Sequence, residues 1–91
     1  MTLARLRKRI DRADRALIRA LGQRFEAIEA LAGIKEKLGL PIVQKARWKD
    51  VIADRMKLAK SAKLHPKMVE RILTLIHAES VRVQRARRRA K

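Results

Sequence analysis

Leu3-Ala-Arg-Leu6-Arg-Lys-Arg-Ile10-Asp-Arg-Ala13-Asp-Arg-Ala-Leu17-Ile18-Arg-Ala20, continued through Ala27, Leu31, Ile34 and Leu38, is the stretch on which the fold turns. Its apolar residues recur at intervals of three and four, the period of one face of a helix, over about five heptads. Thr2 is placed to cap this helix, and Gly39-Leu-Pro41 ends it, because proline disfavours a helical conformation in the residue before it. At 1.5 Å per residue such a helix is about 50 Å long. A short chain cannot cover so long an apolar stripe with its own residues, so a second copy is expected. One slot of the seam is wrong for a coiled coil: between Leu17 and Leu31 it holds Arg24.

Composition narrows the class further. The chain has 91 residues, one small domain (1–91) near the lower limit for a self-sufficient core. Hydrophobic residues make up 47%, which argues against plain disorder, but Phe25 and Trp48 are the only aromatics. Three Gly and two Pro are too few for the turns of a β-sandwich or barrel, so the fold class is all-α. The absence of Cys excludes disulfides, thiolate metal sites and cysteine nucleophiles. No stretch approaches 18 apolar residues, and cations break up the N-terminal segment, so neither a membrane span nor a secretory core is read. A soluble, cytoplasmic protein is the expectation.

The rest of the chain divides into two more helices, one short and one medium. The second is predicted from about Arg47 to Ala62, with Val51, Ile52, Met56, Leu58, Ala59 and Ala62 on its apolar face. The third begins at Pro66, a residue suited to a first helical turn, and buries Val69, Ile72, Leu73, Ile76, Ser80 and Val83. No internal repeat, Gly-rich phosphate loop, metal-ligand cluster or nucleophile–base pair is present. His65 and His77 lack an acidic or histidine partner at ligand spacing and read as structural.

With 25 Lys+Arg against 9 Asp+Glu, the formal charge is +16. Such a chain attracts anions, whether nucleic acid, a membrane surface or a small acidic substrate. Two aromatics make a poor stacking platform for single strands or RNA. The local excess Arg82, Arg85, Arg87, Arg88, Arg89 and Lys91 reads as a solvated helix face running into a frayed basic tail at about 85–91, with non-specific polyanion binding as a corollary.

More informative are polar residues in apolar rows. Arg24 and Lys35 are separated by three turns, about 16 Å, on nearly the same face. Ser80 and Gln84 sit one turn apart, and Gln44 and Arg47 open the second helix. A buried cation needs carboxylates, water or an anionic ligand. Spacing alone leaves open a plain surface register.

The ordered set Leu6-Arg7-x-x-Ile10-Asp11-x-x-Asp14-x-x-Leu17-Ile18, then Arg24, Lys35-x-x-x-Gly39-x-Pro41-Ile42, Arg47 and Ile76-His77-x-Glu79-Ser80-x-x-x-Gln84 resembles the all-helical (type II) chorismate mutases. The resemblance implies three-helix chains interlocked as a homodimer that convert chorismate to prephenate without cofactor or metal, in the shikimate pathway of aromatic amino acid biosynthesis. By the same resemblance Arg7 reaches the neighbouring site across the dimer, while Arg24 and Arg47 join it in holding the substrate carboxylates. Lys35 and Gln84 match the donors to the ether oxygen, and Ser80 a carboxylate-binding serine. Gln44 falls where many members have Asp, close to the substrate hydroxyl. Trp48 departs from the Glu that many members place against that hydroxyl, although some read Arg-Trp or Arg-Tyr at these positions.

Helix geometry agrees on one point. Arg7 and Arg24 lie roughly 25 Å apart along one helix, too far to hold one small ligand, whereas an antiparallel copy would bring Arg7 toward the other chain's Arg24 and Lys35. A Claisen rearrangement also suits the inventory, since it needs a held conformation and fixed donors rather than an acid, base or metal. Two alternatives stand beside this reading: an isochorismate-pyruvate lyase of the same fold, and a non-catalytic basic dimer that binds nucleic acid.

Overall fold

The computed structural model describes residues 1–90, which form three helices: α1 (Leu3–Leu38), α2 (Lys45–Ser61) and α3 (Pro66–Arg89). Helix α1 starts where the sequence predicts, with the Thr2 hydroxyl accepting the Arg5 amide at 3.2 Å. It ends in a Schellman turn. Gly39 takes the left-handed conformation (φ 65°), its amide bonds the Glu36 carbonyl, and the Leu40 amide bonds the Lys35 carbonyl at 2.9 Å.

The other two helices depart modestly from expectation. Helix α2 begins two residues earlier than predicted, at Lys45, because Gln44 enters it from an extended backbone without a side-chain cap. Its end repeats the Schellman pattern with Lys63 left-handed (φ 58°), a conformation costing a non-glycine residue about 1 kcal/mol. Helix α3 opens on Pro66 as read and does not fray where the basic tail was expected. It continues to Arg89, because Arg87 reaches Glu29 and Glu36 of α1 and Arg88 donates to the Leu40 carbonyl. Lys91, the last residue of that tail, lies outside the described residues. Part of the basic excess is locally balanced, since Arg82 also pairs with Glu79 at 2.6 Å.

Helix α3 packs against both α1 and α2, in a body 54 × 25 × 15 Å across. The buried apolar residues are small: Ala32, Val51 and Ala59. On α1 the row turned inward runs Leu21, Phe25, Ile28, Ala32 and Lys35. That is not the seam read from the sequence, whose members Leu3, Leu6, Ile10, Leu17, Leu31, Ile34 and Leu38 are all exposed in the single chain. Leu58, Ala62 and Ile72, expected to be buried, are exposed as well, because no neighbour of this chain reaches their side of α2 and α3.

Candidate active site

The most buried polar side chains in the chain are Ser80, Gln84 and Lys35, at 3%, 4% and 6% exposure. Burial of groups that a folding chain would leave in water implies partners, and they partner one another. Lys35 Nζ donates to the Ile42 carbonyl at 2.8 Å and to Gln84 Oε1 at 3.0 Å. Gln84 Nε2 donates to the Ser80 carbonyl one turn back, at 3.2 Å. Arg24 Nη1 donates to Ser80 Oγ at 3.0 Å, and that hydroxyl gives its own proton to the Ile76 carbonyl.

A donor count then shows what remains. An ammonium has three N–H groups and an amide nitrogen two. Lys35 keeps one donor uncommitted and so does Gln84, side by side, one on a cation and one on a neutral group. Ser80 has no proton left to give, so in this arrangement it positions Arg24 rather than donating outward.

These residues face a cavity of about 380 Å³ between the three helices. Arg24, Ile28, Leu31 and Lys35 enter from α1, Gln44, Arg47, Trp48, Val51 and Arg55 from the start of α2, and His77, Ser80 and Gln84 from α3. Four cations therefore line one cavity, and among the described residues no carboxylate does. The electrostatics show the cost. Burial pulls the Lys35 pKa below its ordinary value and the Arg88 charge adds to the fall. Burial also lowers that of Arg24, reinforced by repulsion from Arg55 and Arg47. Helix α2 carries Lys45 and Arg47 in its first turn, at the positive end of its dipole, where each cation is unfavourable by roughly 0.3–1 kcal/mol. An anion in the cavity would offset the mutual repulsion of the cations that line it.

Seven of the eight residues singled out in the sequence line this cavity: Arg24, Lys35, Gln44, Arg47, Trp48, Ser80 and Gln84. The eighth, Arg7, is exposed near the far end of α1, roughly 25 Å from Arg24. Two polar lining residues were not among the sequence's site candidates. Arg55 belongs to the site by its place two turns after Trp48, a spacing signal available in the sequence. His77, read as structural, instead stands in the cavity wall with its ring stacked on Trp48, centroids 4.0 Å apart and planes 19° apart. Such a pair contributes about 0.5–1.5 kcal/mol beyond its buried area. Burial, then Arg24 and Lys35, hold the His77 pKa below its ordinary value, so the neutral imidazole is the form present near pH 7. Among the described residues no three His, Asp or Glu side chains gather into a metal set, and no helix is long and apolar enough to cross a membrane.

The cavity is built of cations, neutral amides and aromatic rings on a three-helix chain, and comparison with known proteins identifies its family. The family profile described as chorismate mutase type II matches residues 6–85. This chain belongs to the chorismate mutase type II family. Among curated proteins it is similar to a "T-protein" of Enterobacter agglomerans, 33% identical over 78 residues, a stretch that is 86% of this chain and 21% of the relative. The chain thus spans about a fifth of the length of the curated relative it matches.

Proposed function

We propose that this domain rearranges chorismate to prephenate as a homodimer, with Arg7 of each chain completing the other chain's site. The observation that carries the reading is the cavity itself. Arg24, Arg47 and Arg55 surround a space that no carboxylate enters among the described residues, and the free donors of Lys35 and Gln84 converge beside them.

The mechanism follows from what those groups can do. The arginine forks bind the two substrate carboxylates and hold the ring and its side chain in a chair-like conformation with the reacting carbons close. As the ether C–O bond breaks and the new C–C bond forms, negative charge grows on the ether oxygen. Lys35 and Gln84 are aimed to donate to that oxygen, and their mutual hydrogen bond fixes them before the charge appears, so no reorganisation is needed at the moment of reaction. All electrons move within the substrate and no proton changes hands, so the site needs neither general base nor cofactor.

Dimerisation is supported by the seam. Leu3, Leu6, Ile10, Leu17, Leu31, Ile34 and Leu38 are between 39% and 66% exposed. Burying what remains exposed of these seven side chains is worth roughly 5–12 kcal/mol before the costs of association. An antiparallel partner along α1 covers them and carries its Arg7 toward this cavity. The same reading assigns the activity to aromatic amino acid biosynthesis in the cytoplasm.

Incubating purified protein with chorismate and identifying the product tests the reading. Prephenate is expected. Pyruvate and salicylate from isochorismate, with no prephenate from chorismate, would instead make it the lyase of this fold. Activity is expected to persist at moderate salt, where polyanion binding collapses.

A further inference from the structure

We propose that His77, held flat against Trp48, is the group that reads the ring hydroxyl of the substrate and so sets specificity for the hydroxylated ring. The inference rests on the mutase reading above and answers a question it leaves open. The resemblance assigns the hydroxyl to a carboxylate at position 48, and this chain has Trp48 there. An indole offers a donor and no acceptor, so Trp48 alone cannot take the hydroxyl proton.

The cavity contains few groups that can. The cations Arg24, Arg47 and Arg55 are matched to carboxylates, and Lys35 with Gln84 to the ether oxygen. Ser80 has its proton committed to the Ile76 carbonyl and already accepts from Arg24, so it can accept once more but cannot donate to a hydroxyl. His77 differs from all of them. Its neutral ring has one N–H donor and one bare nitrogen acceptor, the same pair of capacities that a hydroxyl has. Among the described residues no hydrogen bond engages its ring nitrogens, and its ring contact is the stack on Trp48. Stacking fixes the plane of the imidazole and leaves its edge, where both nitrogens lie, available to a ligand.

Its surroundings keep the ring in the required form. Arg24 and Lys35 face it from α1, and Arg47 and Arg55 share its cavity from α2, so the cationic imidazole is disfavoured. Trp48 thus does not replace the missing carboxylate; it positions the histidine that does. Gln44 is the competing group, since its amide also both donates and accepts and is not spent on capping α2; what sets His77 apart is the stack on Trp48 that fixes its ring.

The test compares chorismate with an analogue whose ring hydroxyl is replaced by hydrogen, using wild type, His77→Phe, His77→Gln and Gln44→Leu. His77→Phe keeps the ring for Trp48 and removes both nitrogens; circular dichroism and thermal melting check that the fold survives. Wild type should prefer the hydroxylated substrate in kcat/KM by roughly tenfold, the scale of one hydrogen bond. In His77→Phe that ratio should fall toward one, with the deoxy analogue turned over at nearly the wild-type rate. His77→Gln should keep part of the preference. Equal slowing on both substrates makes His77 a wall residue and overturns the assignment, as does a ratio that collapses only in Gln44→Leu. Either result leaves the mutase reading intact, because wild type still forms prephenate. Wild type inert toward chorismate sinks both.

Discussion

From Leu3 to Ala20 every residue of α1 is exposed, whereas from Leu21 to Lys35 the same helix turns a packed row under α3 and delivers Arg24 and Lys35 to the cavity. The two halves share the apolar spacing but not the charge: residues 3–20 carry six arginines, and residues 21–38 carry only Arg24. They also differ in what lies opposite. The second half finds neighbours within its own chain and buries a row ending in a lysine, while the first half presents Leu3, Leu6, Ile10 and Leu17 to nothing in that chain. Isolated helical segments gain little from propensity alone, so the outer half of this 36-residue helix has little packing within its own chain to stabilise it. In the proposed dimer the two halves have separate tasks: the packed half supplies Arg24 and Lys35 to a cavity that α2 completes with Arg47 and Arg55, and Arg7 lies on the exposed half.

Breaking the exposed half should have the largest effect. Ile10→Asp alters a residue 59% exposed in the single chain, so in a monomer it would be almost neutral. In the proposed dimer it puts a carboxylate in the seam. Sedimentation should show dissociation to monomer, and chorismate turnover should disappear with it. Retention of a fully active species at monomer mass would refute the shared site.

The next test joins the two halves. Arg7→Ala and Arg24→Ala should each be nearly inactive alone. Unfolding them together and refolding the mixture should restore about a quarter of wild-type activity, because half of the randomly formed dimers carry one intact composite site out of two. No recovery means that Arg7 does not cross the interface.

Opposite the packed half, on α3, Gln84→Glu sharpens the electrostatic claim. A carboxylate there opposes the charge growing on the ether oxygen, whereas its protonated form can still donate. Turnover near neutral pH should fall by roughly 10²–10³, the loss of one transition-state donor, and recover in part as pH falls. Wild type should show no comparable acid-side gain. A flat, fully active profile would remove Gln84 from the reacting oxygen.

The smallest expected effect concerns stability. The His77 pKa is held below its ordinary value in the folded chain, so between the two values the unfolded chain binds more protons. The contribution of neutral His77 is therefore fully present above about pH 6.5 and is lost as pH falls through the lowered value. Denaturant unfolding between pH 7 and pH 5 should show that loss, and His77→Phe, which cannot titrate, should show less of it. Parallel pH profiles for the two proteins would mean that the ring is not desolvated by Trp48 and the cavity.

The single sequence was enough to read much of this arrangement and misread some of it for physical reasons. Periodicity and stop signals gave α1 its ends at Thr2 and Gly39, because caps and left-handed turns are local chemistry. Arg24, Lys35, Ser80 and Gln84 stood out because each put a polar group in an apolar row, and the structure closes them into one hydrogen-bonded set. His77 was missed for the opposite reason: a histidine on a mixed helix face breaks no pattern, and its meaning comes from Trp48, which lies on another helix. The contacts of Arg87 and Arg88 were not legible because their partners, Glu29, Glu36 and the Leu40 carbonyl, are distant in sequence.

What the sequence determined by itself was the helical class, the three segments, the long apolar stripe of α1 and the polar residues set into apolar rows, since propensity, capping and period act over a few neighbours. Tertiary structure decided which face of α1 turns inward, that a stripe read as one seam is left exposed along both halves of the helix, and that Lys35 and Gln84 share a hydrogen bond while each keeps a donor free. It also decided that an imidazole and an indole stand as one wall of the cavity. Those outcomes depend on packing between segments tens of residues apart, where rows of equal hydrophobicity compete for the same neighbour and only the three-dimensional fit chooses between them.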